Sequence, residues 1–200
     1  MMKKFAMPTL VLTGLLAACG DDDTDPMMEP VEEVELITTV ALTFTNTADA
    51  NDVVTAMTVD LDADGPNDPV ITQPGPLTAG STYELTFDIL NEAESPAEDV
   101  TEEIREEAEE HRVFVSFSDD SFISATATDV ESDYENGNQE GDDLPVGLVW
   151  SVDATAAGSG TITATLRHLP PIGGTPQKTP TVGPTDGETD FLVTFDITVQ

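Results

Sequence analysis

The sequence predicts an all-β protein, an immunoglobulin-like antiparallel β-sandwich with one short inserted helix, on three observations. From residue 34 onward apolar residues recur at every second position, turn-forming clusters interrupt them at short intervals, and a single stretch carries helix signals. Val40, Leu42 and Phe44 alternate with Ala41, Thr43 and Thr45, and Val53, Met57, Val59 and Leu61 continue the same period. Tyr83, Leu85, Phe87 and Ile89, separated by Glu84, Thr86 and Asp88, give the plainest alternation. Runs at 112–118 and 122–129 follow, then Val146, Leu148, Trp150 and Val152, then Ile162, Ala164 and Leu166, and finally Phe191, Val193, Phe195, Ile197 and Val199, for eight main strands. Threonine at many intervening positions suits sheets with one packed and one wet face. Asp64-Gly65-Pro66-Asn67, Pro74-Gly75-Pro76, Asn136-Gly137-Asn138, Gly158-Ser159-Gly160 and Gly173-Gly174 are the expected turns. Many short strands without alternating helices point to two antiparallel sheets, with a barrel as the alternative. The helix is expected over 97–110, where Ser95-Pro96-Ala97-Glu98 offers a cap, a first-turn proline and a first-turn acid.

The chain's 200 residues hold 6 Lys+Arg against 40 Asp+Glu, a formal net charge of -34. Such a polyanion is repelled by nucleic acid and by anionic lipid, so the partners left are cations and basic surfaces.

The amino-terminal segment reads as a lipoprotein signal. Lys3 and Lys4 precede an apolar stretch from Phe5 to Ala17, and the run ends Leu16-Ala17-Ala18-Cys19 with the chain's single cysteine. That stretch is well short of the roughly 20 residues of a spanning helix. Cleavage before Cys19 would put the cysteine at the acylated first position of the mature chain and leave Arg105, Arg112, Arg167 and Lys178 as its basic residues, for a net charge of -36. With Cys19 lipidated, no thiol remains for a disulfide or a thiolate metal site. Residues 19–33 contain Gly20-Asp21-Asp22-Asp23-Thr24-Asp25-Pro26, a self-repelling stretch expected to be an extended tether before a domain over 34–200. Acids directly behind the lipidated cysteine also resemble the surface-export signal of Bacteroidota lipoproteins.

Three places carry metal-binding residue types. Asp60, Asp62 and Asp64, followed by Gly65, match the start of a calcium loop, but position twelve is Ile71 and no helices flank it, so turn-capping aspartates are the competing reading. Glu107 and His111, four apart, would share a helical face and reach one metal ion; Glu110 stands beside them. If a strand begins at His111 instead, that histidine falls in phase with Val113, Val115 and Phe117. His168 shares strand phase with Ile162, Ala164 and Leu166. With Glu107 or Glu110, the chain's two histidines would complete a transition-metal site if the fold brings them together, and would otherwise be packing residues. No catalytic residues are assigned: there is no Gly-x-Ser-x-Gly turn, no Ser-x-x-Lys, no His-Glu-x-x-His helix and no free thiol.

Leu36-Ile37-Thr38-Thr39-Val40 with Leu42-Thr43-Phe44, Val100-Thr101-Glu102-Glu103-Ile104, Glu106-Glu107-Ala108-Glu109-Glu110-His111, Leu166-Arg167-His168-Leu169-Pro170, and Gly187-Glu188-Thr189-Asp190 leading into Val193–Gln200 resemble a family of small uncharacterised lipoproteins of the Bacteroidota. Some of its members are labelled type 1 periplasmic binding fold superfamily proteins, which implies alternating helices and strands; the strand period of this chain decides against that layout. The resemblance implies a lipoprotein and no assigned activity, and the loop over 129–145 is longer and more acidic here than the family's usual turn.

Two functions are therefore expected from the sequence. One is a lipid-anchored, non-enzymatic outer-membrane or surface binding protein that captures a divalent metal, zinc or calcium, or a metal-bearing ligand as accessory to an outer-membrane receptor. The other is a structural or adhesive sandwich domain of the envelope. Adaptation to salt is a further source of the charge, since Lys178 is the only lysine left after cleavage.

Overall fold

The computed structural model describes residues 36–62, 65–134 and 143–200. The expected signal, Cys19 and the tether lie outside the described residues, as do Asp64 and residues 135–142 of the acidic 129–145 loop, Asn136-Gly137-Asn138 among them.

Among the described residues, ten strands and one α-helix follow in the order β1 (Thr39–Asn46), β2 (Val53–Val59), β3 (Val70–Thr72), β4 (Ser81–Asn91), β5 (Glu98–Asp99), α1 (Val100–Glu106), β6 (His111–Phe117), β7 (Ile123–Ala127), β8 (Val149–Ala154), β9 (Gly158–His168) and β10 (Glu188–Val199). A seven-stranded sheet runs β3-β2-β1-β4-β8-β7, with β5 paired to β4, and a three-stranded sheet runs β10-β9-β6. Every pairing between named strands is antiparallel. The two inner faces make one core, so the sandwich with a short inserted helix is the observed architecture. No helix among the described residues is long and apolar enough to cross a membrane.

The alternating residues of β4 show how the pattern becomes packing. Tyr83, Leu85, Phe87 and Ile89 are buried while Glu84 and Asp88 are exposed. They meet Phe44, Leu42 and Val40 of β1 on one side and Val152 and Trp150 of β8 on the other. Across the core, Ile162, Ala164 and Leu166 of β9 and Phe191, Phe195 and Ile197 of β10 present the facing surface. The buried Tyr83 ring keeps its polar tip satisfied: the hydroxyl donates to Asp52 at 2.8 Å and accepts from Thr78 N–H at 2.9 Å.

Four local expectations are corrected. In β2 the inward phase is Val54 and Ala56, opposite Phe44 and Leu42, whereas Val53 and Leu61 are exposed. Pairing with β1 decides the phase there, because both faces of this segment carry apolar residues. The helix covers Val100–Glu106 only, and its cap is Asp99, whose side chain accepts from Thr101 N–H, because β5 uses Glu98 and Asp99 to pair with β4. Gly158-Ser159-Gly160 is strand rather than turn. The Phe122 ring lies where a side chain on Gly158 would stand, 2.4 Å from its ideal Cβ, so Gly158 makes room for an aromatic ring. Val146 and Leu148 are buried ahead of β8, which begins only at Val149.

The segment before β8 covers an edge of the small sheet. Val113 N–H on β6 donates to the Val146 carbonyl at 2.8 Å. Gly147 follows at φ +83, and its ideal Cβ would lie 2.3 Å from the Val113 carbonyl oxygen, so only glycine lets the two backbones approach. The buried Asp129 carboxylate fixes this approach by accepting from Gly147 N–H (3.0 Å), Leu148 N–H (2.9 Å) and the Tyr134 hydroxyl (2.8 Å).

Candidate functional site

The register of the small sheet brings the two histidines together. His111 opens β6, His168 closes β9, and the two are direct cross-strand partners. Directly opposed residues project to the same face, so the rings meet: their centroids lie 4.6 Å apart and their planes differ by 6°. On the other side of β9, His168 faces Glu188 of β10. The strand reading of His111 is thus the one adopted, and α1 ends before it.

The residues Glu107–Glu110 form a turn between α1 and β6. Glu107 N–H still donates to the Glu103 carbonyl (2.9 Å), and Glu110 N–H donates to the Glu107 carbonyl (2.8 Å), which folds the turn back over the strand ends. Both carboxylates thereby face imidazoles. A Glu107 carboxylate oxygen is 3.9 Å from His111 Nδ1, and a Glu110 oxygen is 3.8 Å from His168 Nε2. His111 Nδ1 also lies 3.3 Å from the Glu107 carbonyl oxygen.

Burial differs sharply among these groups. The His111 side chain is fully buried, that of His168 is 15% exposed and that of Glu107 55% exposed. One potential ligand atom from each of Glu107, His111 and His168 lies within 4.8 Å of the others. Two donors bound to one tetrahedral zinc stand ~3.3 Å apart, as Zn–N bonds of about 2.0 Å require. The cluster therefore needs a contraction of about 1.5 Å, and the two less buried side chains are the ones able to supply it. An imidazole binds a metal in its own ring plane, so the parallel stack must also open by rotation of one ring.

The calcium-loop residues are arranged differently. Asp62 accepts from Asn67 through both its backbone N–H (3.3 Å) and its side-chain amide (2.5 Å), and Gly65 N–H donates to the Asp62 carbonyl (2.8 Å). Asp62 is a turn-capping residue there, and Asp60 follows β2 directly, with one carboxylate oxygen enclosed and without a hydrogen-bond partner among the described residues.

Bonded to the same turn is a buried ion pair that the sequence does not reveal. Lys178 Nζ lies 2.9 Å from a Glu131 carboxylate oxygen, with the two side chains 1% and 3% exposed, and donates to the Ala108 carbonyl at 2.6 Å. Burial pushes the Lys178 ammonium below its ordinary range while Glu131 pulls it back up. Arg167, adjacent to His168, donates to the Asp186 carbonyl (2.6 Å), to the Gly187 carbonyl and to the Thr189 hydroxyl. Arg112 is half-buried over the Phe114 ring. A lone lysine in a loop carries no periodicity, so only its rarity could have drawn attention to Lys178.

No known protein family matches the chain, and no curated protein matches it. Among solved structures, the S-layer protein SbsC domains 4 and 5 superpose with a TM-score of 0.26 at 13% identity, covering 79% of this chain and 70% of that one. A likeness at that level adds nothing to the assignment of the site.

Proposed function

We propose that this chain is a lipid-anchored, non-catalytic binding protein of the cell envelope that captures a divalent transition metal, or a ligand bearing one, through Glu107, Glu110, His111 and His168. The convergence of Glu107, His111 and His168 within 4.8 Å carries the reading. Two imidazoles with carboxylates suit zinc and its neighbours, whereas calcium takes six to eight oxygens. The anchor rests on Lys3, Lys4, the apolar stretch and Leu16-Ala17-Ala18-Cys19, and the outer-membrane address and membership in the Bacteroidota lipoprotein family on the motifs quoted above. Service to an outer-membrane receptor follows from the same address: a tethered domain that concentrates cations is useful beside a transporter.

Calorimetry with zinc, copper, iron and calcium tests the reading. Zinc is expected to bind one site per chain, and His168→Ala and Glu107→Gln each to weaken it at least ~10-fold, with calcium giving no comparable heat. Absence of zinc binding abandons metal capture. The stack itself favours a second reading, a structural or adhesive domain in which parallel rings 4.6 Å apart are a packing contact. Under that reading His168→Ala lowers stability and changes no binding.

A further inference from the structure

The connection between β9 and β10, residues 169–187, bonds to the turn that carries the carboxylates. Leu169 N–H donates to the Glu110 carbonyl at 2.6 Å, and from further along the same connection Lys178 Nζ donates to the Ala108 carbonyl at 2.6 Å. Two of the turn's four carbonyls are therefore held from outside it. At the far end of the connection, Gly187 lies against the start of this loop: its ideal Cβ would stand 2.3 Å from the His168 carbonyl oxygen and 2.5 Å from the Leu169 side chain. What Lys178 holds is the main chain between the Glu107 and Glu110 carboxylates, through the Ala108 carbonyl.

The choice of residue is informative. A buried lysine paired with a buried glutamate gains little stability over apolar residues of similar volume, because desolvation of both charges offsets their attraction. What an ammonium provides that a methionine does not is a directed donor toward the Ala108 carbonyl. Glu131 in turn limits where the ammonium can sit, and Glu131 is placed by its own N–H, which donates to the Leu144 carbonyl at 3.0 Å.

We propose that Lys178 is the positioning residue of the metal site: by holding the Ala108 carbonyl it sets the Glu107–Glu110 turn over the His111–His168 pair, and Glu131 holds Lys178. This role rests on the metal-capture reading. Lys178→Met alone would strand a buried Glu131 carboxylate and is expected to unfold the domain, so the test uses Lys178→Met/Glu131→Met, which removes both charges and keeps the volume. Four readouts are taken on the full folded chain: thermal midpoint, hydrogen exchange at the amides of residues 107–111, zinc affinity, and cobalt absorption, which reports ligand geometry.

The expected result is a midpoint within a few degrees of wild type, faster exchange at Glu110 and His111, zinc affinity reduced ~10-fold or more, and an altered cobalt spectrum. A purely structural role would move the midpoint and leave affinity and spectrum unchanged. Zinc binding by wild type together with unchanged affinity and exchange in the double variant overturns the role of Lys178 alone. No zinc binding by wild type overturns the metal reading and this role with it.

Discussion

Replacing Asp129 by Asn tests whether one carboxylate holds the edge of the small sheet. Its two oxygens accept three hydrogen bonds: one from Gly147 N–H at 3.0 Å to Oδ1, and two to Oδ2, from Leu148 N–H at 2.9 Å and the Tyr134 hydroxyl at 2.8 Å. The residue is 5% exposed, so water does not replace a lost partner. An asparagine is nearly isosteric but offers one oxygen and one NH2 group. Its better orientation keeps the oxygen toward Leu148 and Tyr134 and turns the NH2 group onto Gly147 N–H, donor against donor. A buried unsatisfied N–H costs ~1–3 kcal/mol, and converting two bonds from a charged to a neutral acceptor costs about 1 kcal/mol more. The sum, roughly 2–4 kcal/mol, corresponds to a midpoint lower by about 5–12 °C for a domain of this size. Trp150 reports the event, since its Nε1–H donates to the Gly147 carbonyl at 2.7 Å and the ring is buried. Thermal unfolding followed by near-ultraviolet circular dichroism reads both. A midpoint shifted by less than about 2 °C would refute the assignment of Asp129 as the brace.

Three further outcomes are expected. Gly147→Ala should cost at least ~2 kcal/mol, because a side chain at φ +83 is strained and its Cβ would sit 2.3 Å from the Val113 carbonyl oxygen; an unchanged urea midpoint would contradict the close approach. Bonds from Asn46, then Tyr83 and Thr78, hold the Asp52 carboxyl below the usual value of 3.8. Its folded value is depressed, so its contribution is fully present above pH 3.8 and is lost as pH falls through the lower folded value; Asp52→Asn should flatten that part of the acid-unfolding curve, and an identical curve refutes the linkage. Stability should rise with salt, with the midpoint several degrees higher at ~1 M than at ~0.05 M sodium chloride, as the Debye length falls to about 3 Å; a flat dependence would mean that acid repulsion is not a major destabilising term.

The strand pattern was legible wherever one face of a strand is apolar and the other polar. Tyr83 to Ile89 and Phe191 to Val199 follow their written alternation into the core. It failed where both faces are apolar, as in β2, whose phase comes from its pairing with Leu42 and Phe44. Strands of two or three residues, β3 and β5, are too short to show a period. The helix was overextended because Glu is a good helix former at 107–110, yet the turn is held by tertiary bonds to Ala108 and Glu110 that no local signal encodes. Each histidine was visible as a candidate ligand from its type and its place at a strand end. Their meeting depended on the pairing of β6 with β9, a property of register between distant segments. Glu131 and Asp129 stand in the acidic loop over 129–145, and nothing in its composition marks two of its acids as buried.

Four basic residues lie among the described residues, and their fate bears on what the negative charge can do. Lys178 is buried against Glu131, Arg167 is buried among carbonyls, Arg112 is half-buried over Phe114, and Arg105 pairs with Glu102 at 2.6 Å. Each is engaged locally, and with 40 Asp+Glu against 6 Lys+Arg in the chain the positive charge offsets little of the field outside, which draws cations toward the domain. Attraction of this sort is screened by salt and cannot tell zinc from calcium, which carry the same charge. Discrimination needs donors that bind in the inner coordination sphere, and among the described residues the Glu107, His111 and His168 group meets that description. The two properties separate by their response to salt: accumulation around the surface fades within a Debye length, whereas ligation by imidazole nitrogen persists. On the proposed metal-capture reading, the acidic surface would serve as a means of delivery, and specificity would rest on whether the stacked histidines open toward an ion.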